Sequence, residues 1–294
     1  MGKRFYYGGQ AVVEGVMMRG QKSMVTAVRR PDGDLAIDRH MLSAIYTGWM
    51  RKTPLLRGII ALIEAMVLGI KALLYSANVS LEEGEEVSGW MVWLMVAGSL
   101  LLAGVLFFMV PLFLTRLFNI SSSLLFNLID GFIRVAIFII YLKVVTLLPD
   151  IKRVFAYHGA EHKAVNAYEA DASLKVEAVR EYSTAHVRCG TSFLFVVLMI
   201  SIVVFALVGL HSPWLMALSR IVLIPLVAAL SYEVIYFGAR HFNNSLVRAI
   251  LSPGLWLQSM TTREPDDSQL EVALLALNGV MATDYEEEKA ETFS

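Results

Sequence analysis

The sequence predicts a mainly α protein. It reads as a helical integral membrane protein with four transmembrane helices, one interfacial or re-entrant helix and a small cytoplasmic β-hairpin region at the N-terminus. Three observations lead there. The 294 residues are 56% hydrophobic and 17% charged, with a mean hydropathy of +0.59, whereas soluble domains are about one quarter charged. Long uncharged runs recur along the chain. Lys and Arg gather in three regions that four crossings place on the same side.

Two runs span by length alone. Residues 90–114 (WMVWLMVAGSLLLAGVLFFMVPLFL) and 190–210 contain no charge, and each can cross an apolar layer of roughly 30 Å. Residues 121–148 also span although they contain Asp130, Arg134 and Lys143. Residues 214–238 make the fourth span, with Arg220, Pro225 and Glu233 inside. Asp130 and Arg134 can pair within one helix, and Lys143 and Arg220 can pair or snorkel. The stretch 54–75 (PLLRGIIALIEAMVLGIKALLY) starts as a helix, with Thr53 as N-cap and Pro54 at the first position. Its charges Arg57, Glu64 and Lys71 fall seven apart and form one polar stripe.

Topology arbitrates that stretch. The first 53 residues hold nine Lys and Arg, residues 149–189 hold six, and the tail from 239 holds four; 115–120 holds only Arg116 and 211–213 none. Four spans put all the basic regions on the cytoplasmic side by the positive-inside rule. A fifth span at 54–75 would split them, so 54–75 is read as interfacial. The acidic run EEGEE (82–86) then faces the cytoplasm. The opening MGKRFYYGGQ has no apolar core and does not fit a secretory signal, so insertion relies on the internal segments. The expected target is the bacterial inner membrane, with both termini cytoplasmic.

This divides the chain into a β region (1–53), an amphipathic helix (54–80), a first transmembrane pair (90–148), a cytoplasmic helical loop (149–189), a second transmembrane pair (190–238) and C-terminal helices with an acidic tail (239–294). In the first part, two alternating runs flank RPDGD (30–34), a Pro-Asp-Gly turn signal. A hairpin is expected there, with a third strand from QAVVEGVMM (10–18). In the loop, Asp150 can cap a helix over 151–169, and Ser173 can start a second helix reaching about 183. Residues 264–281 read as a capped amphipathic helix, and DYEEEKAETFS as a disordered tail.

The chemistry concentrates in YHGAEHKAVNAYE (157–169). H-x-x-E-H on a helix puts His158 and His162 on one face, a turn apart, where both can ligate one divalent ion, zinc being the expected metal. Glu161 then lies beside the open coordination position as general base, the order used by inverzincins. The bland alternative, surface or capping histidines, is weakened by the apolar Ile151, Phe155 and Val165 on the same face. His186 and Glu233 rank first as further ligands. Cys189, Glu14 and Glu169 are the remaining candidates, and a lone cysteine is ordinarily an inert buried thiol. No phosphate loop or nucleic-acid signature occurs.

GGQAVVEGVMMRG (8–20), YHGAEHK (157–163), RCGTSFLF (188–195) and PGLWLQSMTTREPDDSQ (253–269) together resemble the YqhQ-like family of bacterial multi-pass membrane proteins, often labelled predicted metal-dependent enzymes. The resemblance covers roughly residues 5–275. It departs at Val187, where the family is expected to carry proline. It implies a membrane protein with a metal site and supplies no substrate. Two function classes follow. One is a metal-dependent hydrolase acting at the cytoplasmic face on a membrane peptide or lipid-linked substrate, with Glu161 as base and Arg188 meeting an anionic group. The other is a non-enzymatic regulator or scaffold with a structural metal. A transporter is disfavoured because the histidines lie outside the spans.

Overall fold

The computed structural model describes residues 5–81, 89–209 and 212–292; the run EEGEE (82–86) lies outside them. Four strands open the chain: β1 (Gly8–Val12), β2 (Gly15–Arg19), β3 (Ser23–Arg29) and β4 (Leu35–Met41). They form an antiparallel meander in chain order, with Met18 opposite Val25 and Thr26 opposite Asp38. The expected hairpin is β3–β4. Its turn is RPDGD, in which the Arg30 amide donates to the Asp34 carbonyl and Gly33 takes φ +95°, a region open to a residue without Cβ. Residues 10–18 supply two strands instead of one, because the chain reverses at Glu14 with φ +52°.

Both faces of this sheet are buried. Val12, Met17, Met24 and Val28 pack against Tyr46 of α1 (Ala44–Thr47) and Ile60, Leu68 and Ala72 of α2 (Leu56–Val79). Val16, Met18, Val25 and Ala27 pack on the opposite face. Their partners are Tyr157, Ala160 and Ala164 of α6 (Pro149–Glu169) and Leu270, Ala273 and Leu277 of α12 (Asp267–Thr292). The run Val16-Met17-Met18 is therefore continuously apolar, while period two still divides it between two cores.

The helix of 54–75 starts later than its sequence signals. Leu55, at φ +65°, precedes α2; the Thr53 hydroxyl donates to the Trp49 carbonyl, and Glu233 accepts the Leu55 amide. Two charges of the polar stripe of α2, Arg57 and Glu64, face protein, and Lys71 is exposed. Glu64 is 5% exposed and bridges Arg19 of β2 at 2.8 Å and Arg51 at 3.2 Å. Arg57 pairs with Glu233.

The apolar helices are α3 (Gly89–Gly104), running through a π-turn at Val105–Met109 into α4 (Val110–Arg116), then α5 (Ser123–Val145), α8 (Gly190–Val208), α9 (Pro213–Val222) and α10 (Ile224–Arg240). Among the described residues, three stretches are long and apolar enough to cross a membrane: Leu56–Val79, Trp93–Arg116 and Gly190–Val208. Counting each bent helix pair as one span gives up to five. These helices suggest a membrane protein. The pairs are α5 with α6, bent by 102°, and α9 with α10, bent by 46°. Pro149 at the first position of α6 forces its break, since the residue before a proline avoids the helical region.

Two expectations for the polar part are corrected. The helix sought at 173–183 is a single turn, α7 (Val176–Val179), because the chain beyond it reverses to meet α6. The acidic tail is helical as far as Thr292. Its Asp284 is buried, and it accepts from the Gln21 amide at 2.6 Å, the Lys22 amide at 3.1 Å and the Ser23 hydroxyl at 3.2 Å. That carboxylate closes the β2–β3 turn. At its other end α12 has a capping box: Asp266 Oδ1 accepts from the Gln269 amide, and Gln269 Oε1 accepts from the Asp266 amide. Charge-assisted bonds contribute roughly 1.5–3 kcal/mol. Asp284→Ala should therefore lower the unfolding free energy by about that amount in detergent denaturation curves, and Asp284→Asn by less.

Candidate metal centre

The His158 and His162 rings lie 4.4 Å apart, centre to centre, on α6. Each is oriented from behind through Nδ1. His158 Nδ1 stands 2.8 Å from the Thr261 carbonyl at the end of α11 (Ser245–Thr261), and His162 Nδ1 2.6 Å from the Thr184 carbonyl. A carbonyl only accepts, so each Nδ1 carries a proton and each neutral ring presents a lone pair at Nε2. Both lone pairs turn towards one sulfur. His158 Nε2 is 3.3 Å from Cys189 Sγ, and the donor atoms of His158, His162 and Cys189 all lie within 4.8 Å of one another.

The electrostatics match this convergence. Burial pushes the Cys189 thiol up, but the bonds from His158 and His162 outweigh it and hold the thiol well below its ordinary value. Burial likewise pulls the imidazoles down. For His162 the Glu161 carboxylate and the Cys189 sulfur reverse this and raise it to about 9. For His158 the bond to Cys189 does the same. Without an ion, the raised imidazoles hold the balancing protons on Nε2 beside the thiolate, and a metal ion bound there would displace them. Two imidazoles braced by carbonyls, with one thiolate, are a donor set that fits a zinc-like ion. Glu161 stands beside these donors. It is 4% exposed, its Oε2 lies 3.4 Å from His162 Nε2, and its Oε1 accepts the Gly9 amide of β1 at 2.9 Å.

The structure therefore brings Cys189, rather than His186 or Glu233, to the two histidines. The chain after α7 turns back past α6, and Cys189 becomes the N-cap of α8, its sulfur accepting the Thr191 amide. His186 sits next to the group without joining it. Its Nε2 lies 3.6 Å from Glu169 and 3.5 Å from Arg188, and burial lowers its pKa. Glu233 is 25% exposed at its side chain and engaged by Arg57 and the Leu55 amide. Glu14 pairs with Arg153. Arg188 pairs with Glu169 and lies 4.3 Å over the ring of the exposed Tyr6.

Several supporting residues escaped sequence reasoning. Gln258, fully buried, donates to the His186 carbonyl and accepts the His186 amide, both at 2.9 Å. Thr184 and Thr261 act through backbone carbonyls, which no side-chain pattern reveals. Gly159 did carry a signal, since a glycine inside a helix costs about 1 kcal/mol against alanine and needs a packing reason. A Cβ there would stand 2.0 Å from the Arg263 carbonyl. The Arg263 amide meanwhile donates to the Phe155 carbonyl at 2.9 Å. This close approach sets the Thr261 carbonyl against His158.

Residues 53–283 match the family described as "Protein of unknown function (DUF1385)". "Uncharacterized protein YqhQ" of Bacillus subtilis (strain 168) is 37% identical over 296 residues, covering 94% of this chain and 92% of its own length. The chain belongs to the YqhQ-like family. No solved structure matches. In this YqhQ-like chain Val187 packs with Val196, Ile235 and Leu251. Overpacking typically costs about 1–3 kcal/mol. Gly159→Ala should cost at least that in thermal unfolding, and should accelerate modification of Cys189, the single cysteine, by a thiol reagent.

Proposed function

We propose that this protein is a membrane-bound, metal-dependent hydrolase acting at the cytoplasmic face on a membrane peptide or a lipid-linked amide or ester. One observation carries the reading: the donor atoms of His158, His162 and Cys189 converge within 4.8 Å of one another, with the buried Glu161 carboxylate 3.4 Å from His162 Nε2. His158, His162 and Cys189 would hold a divalent ion, zinc by donor type. Such an ion supplies Lewis acidity towards a carbonyl or phosphoryl oxygen. Glu161 accepts a proton from the attacking water at Oε2, because Oε1 is already engaged by the Gly9 amide. The Thr184 and Thr261 carbonyls keep both rings in one tautomer. Arg188, over Tyr6 and paired with Glu169, would exchange that carboxylate for an anionic group of the substrate.

The membrane arrangement supports this substrate class. We take α3–α4, α5, α8 and α9–α10 as four spans, with α2 along the interface. The sheet lies against α2 from Ile60 to Ala72, a length that would have to sit in lipid if α2 crossed. The 102° bend at Pro149 turns α6 away from the direction of α5, so the histidines start within a turn or two of the bilayer surface. A cysteine nucleophile activated by His158 is the competing reading. The burial of Cys189, 5% exposed, and its second imidazole partner favour ligation.

Metal analysis of purified protein tests the reading. His158→Ala, His162→Ala and Cys189→Ser should each weaken zinc binding at least about tenfold. Glu161→Gln should keep the metal and lose complementation of a deletion strain. Equal metal loss in Glu161→Gln would remove its assignment as base. Metal-free but active wild type, inactivated by Cys189→Ser, would hand the site to the thiol. For topology, Ala170→Cys on a Cys189→Ser background should resist an impermeant maleimide in intact cells and label after lysis.

A further inference from the structure

A second group of buried charges lies in the apolar bundle, away from the metal centre. Asp130 and Arg134 of α5 and Arg220 of α9 are each at most 2% exposed at the side chain. Arg134 pairs with Asp130 Oδ2 at 2.5 Å, and its Nη1 donates to the Ser201 hydroxyl of α8 at 3.0 Å. Arg220 Nη2 stands 2.8 Å from the same Asp130 oxygen without the alignment of a hydrogen bond. Asp130 lies seven residues into α5 from Ser123, about 10 Å along a helix rising 1.5 Å per residue. Ser201 lies eleven residues into α8 from Gly190, about 16 Å along. The group is thus well inside the apolar layer.

The charges do not balance. Two guanidinium groups face one carboxylate among the described residues, leaving one positive charge in a medium where an uncompensated charge costs several kcal/mol. The donors do not balance either. Arg134 Nε, Arg220 Nε and Arg220 Nη2 are buried without a hydrogen-bond acceptor, and Asp130 Oδ1 is without a donor. The backbone around them is irregular. The π-turn places Phe108 at 5.4 Å over Arg134, Phe205 of α8 lies 5.2 Å from Arg134 and 5.0 Å from Arg220, and the bend between α9 and α10 falls three residues beyond Arg220. Irregular helices at membrane depth are tolerated where protein or a polar cavity covers them, and π-turns are frequent at functional sites.

We propose that Arg134, Arg220 and Asp130 form a binding site for an oxyanion that also carries a hydroxyl. Nε of Arg220, which has no acceptor, and Nη2, which a ligand oxygen would share with Asp130 Oδ2, form the side-on fork that matches a phosphate or carboxylate. The free Asp130 Oδ1 accepts from a ligand O–H. Monobasic phosphate from water and the phosphoglycerol headgroup of a lipid share this chemistry. A purely structural cluster would gain most from a one-to-one pair, and Arg220 makes the second cation.

The full chain, purified and reconstituted in phosphatidylcholine nanodiscs, is titrated with inorganic phosphate at constant ionic strength in chloride. In a second arm it is placed in nanodiscs of rising phosphatidylglycerol fraction. The readout is the midpoint of thermal unfolding. Wild type should be stabilised in at least one arm; phosphate alone identifies a water-borne anion, and phosphatidylglycerol alone a lipid headgroup. Arg220→Gln, which leaves a neutral Asp130–Arg134 pair, should raise the half-saturating concentration at least about tenfold. Asp130→Asn removes the repulsion of a second anion while its amide oxygen can still accept the ligand hydroxyl, so it should lower that concentration. Absence of stabilisation in both arms, or equal responses from wild type and Arg220→Gln, overturns the proposal. If Arg220→Gln does not fold, Asp130→Asn decides, and a half-saturation equal to or above wild type counts against the site. The metal centre plays no part in this readout, so its success or failure is independent.

Discussion

The sheet's two apolar faces are the constraint on which the polar half of the molecule depends. A four-stranded meander of short strands cannot bury both faces by itself, and an unburied face would expose Val12, Met17 and Met24 on one side or Val16, Met18 and Val25 on the other. The chain solves this with elements distant in sequence. α2 covers one face; α6 and α12 cover the other. Because α12 comes from the far end of the chain, the first and last parts of the sequence share one core. Asp284 fixes that union by capping the β2–β3 turn from the last helix.

The candidate metal centre is a consequence of the same packing. α6 is held against the sheet by small residues, Ala160, Ala164 and Ala167, so the Gly9 amide of β1 can reach Glu161. On its other side α6 meets the end of α11 and the segment between α7 and α8, which bring the Thr261 and Thr184 carbonyls to the two imidazole Nδ1 atoms. Each ring is therefore oriented by backbone, whose position is set by the fold, and not by a mobile side chain. That is the kind of support that keeps donor atoms within a few tenths of an ångström of a working geometry.

Charge is handled differently in the two halves. Around the sheet, buried carboxylates are matched by several donors. Glu64 holds Arg19 and Arg51, and Arg51 also donates to the Tyr232 hydroxyl at 2.8 Å, joining the sheet to α2 and α10. In the apolar bundle one carboxylate serves two guanidinium groups and leaves donors unmatched. The contrast is one of clustering: other buried atoms without a hydrogen-bond partner, such as Thr26 Oγ1 and Ser192 Oγ, are scattered, whereas Arg134 Nε, Arg220 Nε and Asp130 Oδ1 gather in one group.

The sequence by itself determined the mainly helical class, the apolar segments, the β3–β4 hairpin and the placement of His158, Glu161 and His162 on one helix. Each of these is local: run length, turn chemistry, or the 3.6-residue repeat. The tertiary structure alone decided that Cys189 meets His158 and His162, that Glu233 belongs to Arg57, that the acidic tail is helical as far as Thr292 and that Arg220 joins Asp130. The reason is distance along the chain. Cys189 and His158 are separated by 31 residues, Glu233 and Arg57 by 176, and Asp284 and Gln21 by 263. No periodicity or motif encodes contacts at such separations; packing of the two sheet faces and of the helix ends brings those groups together.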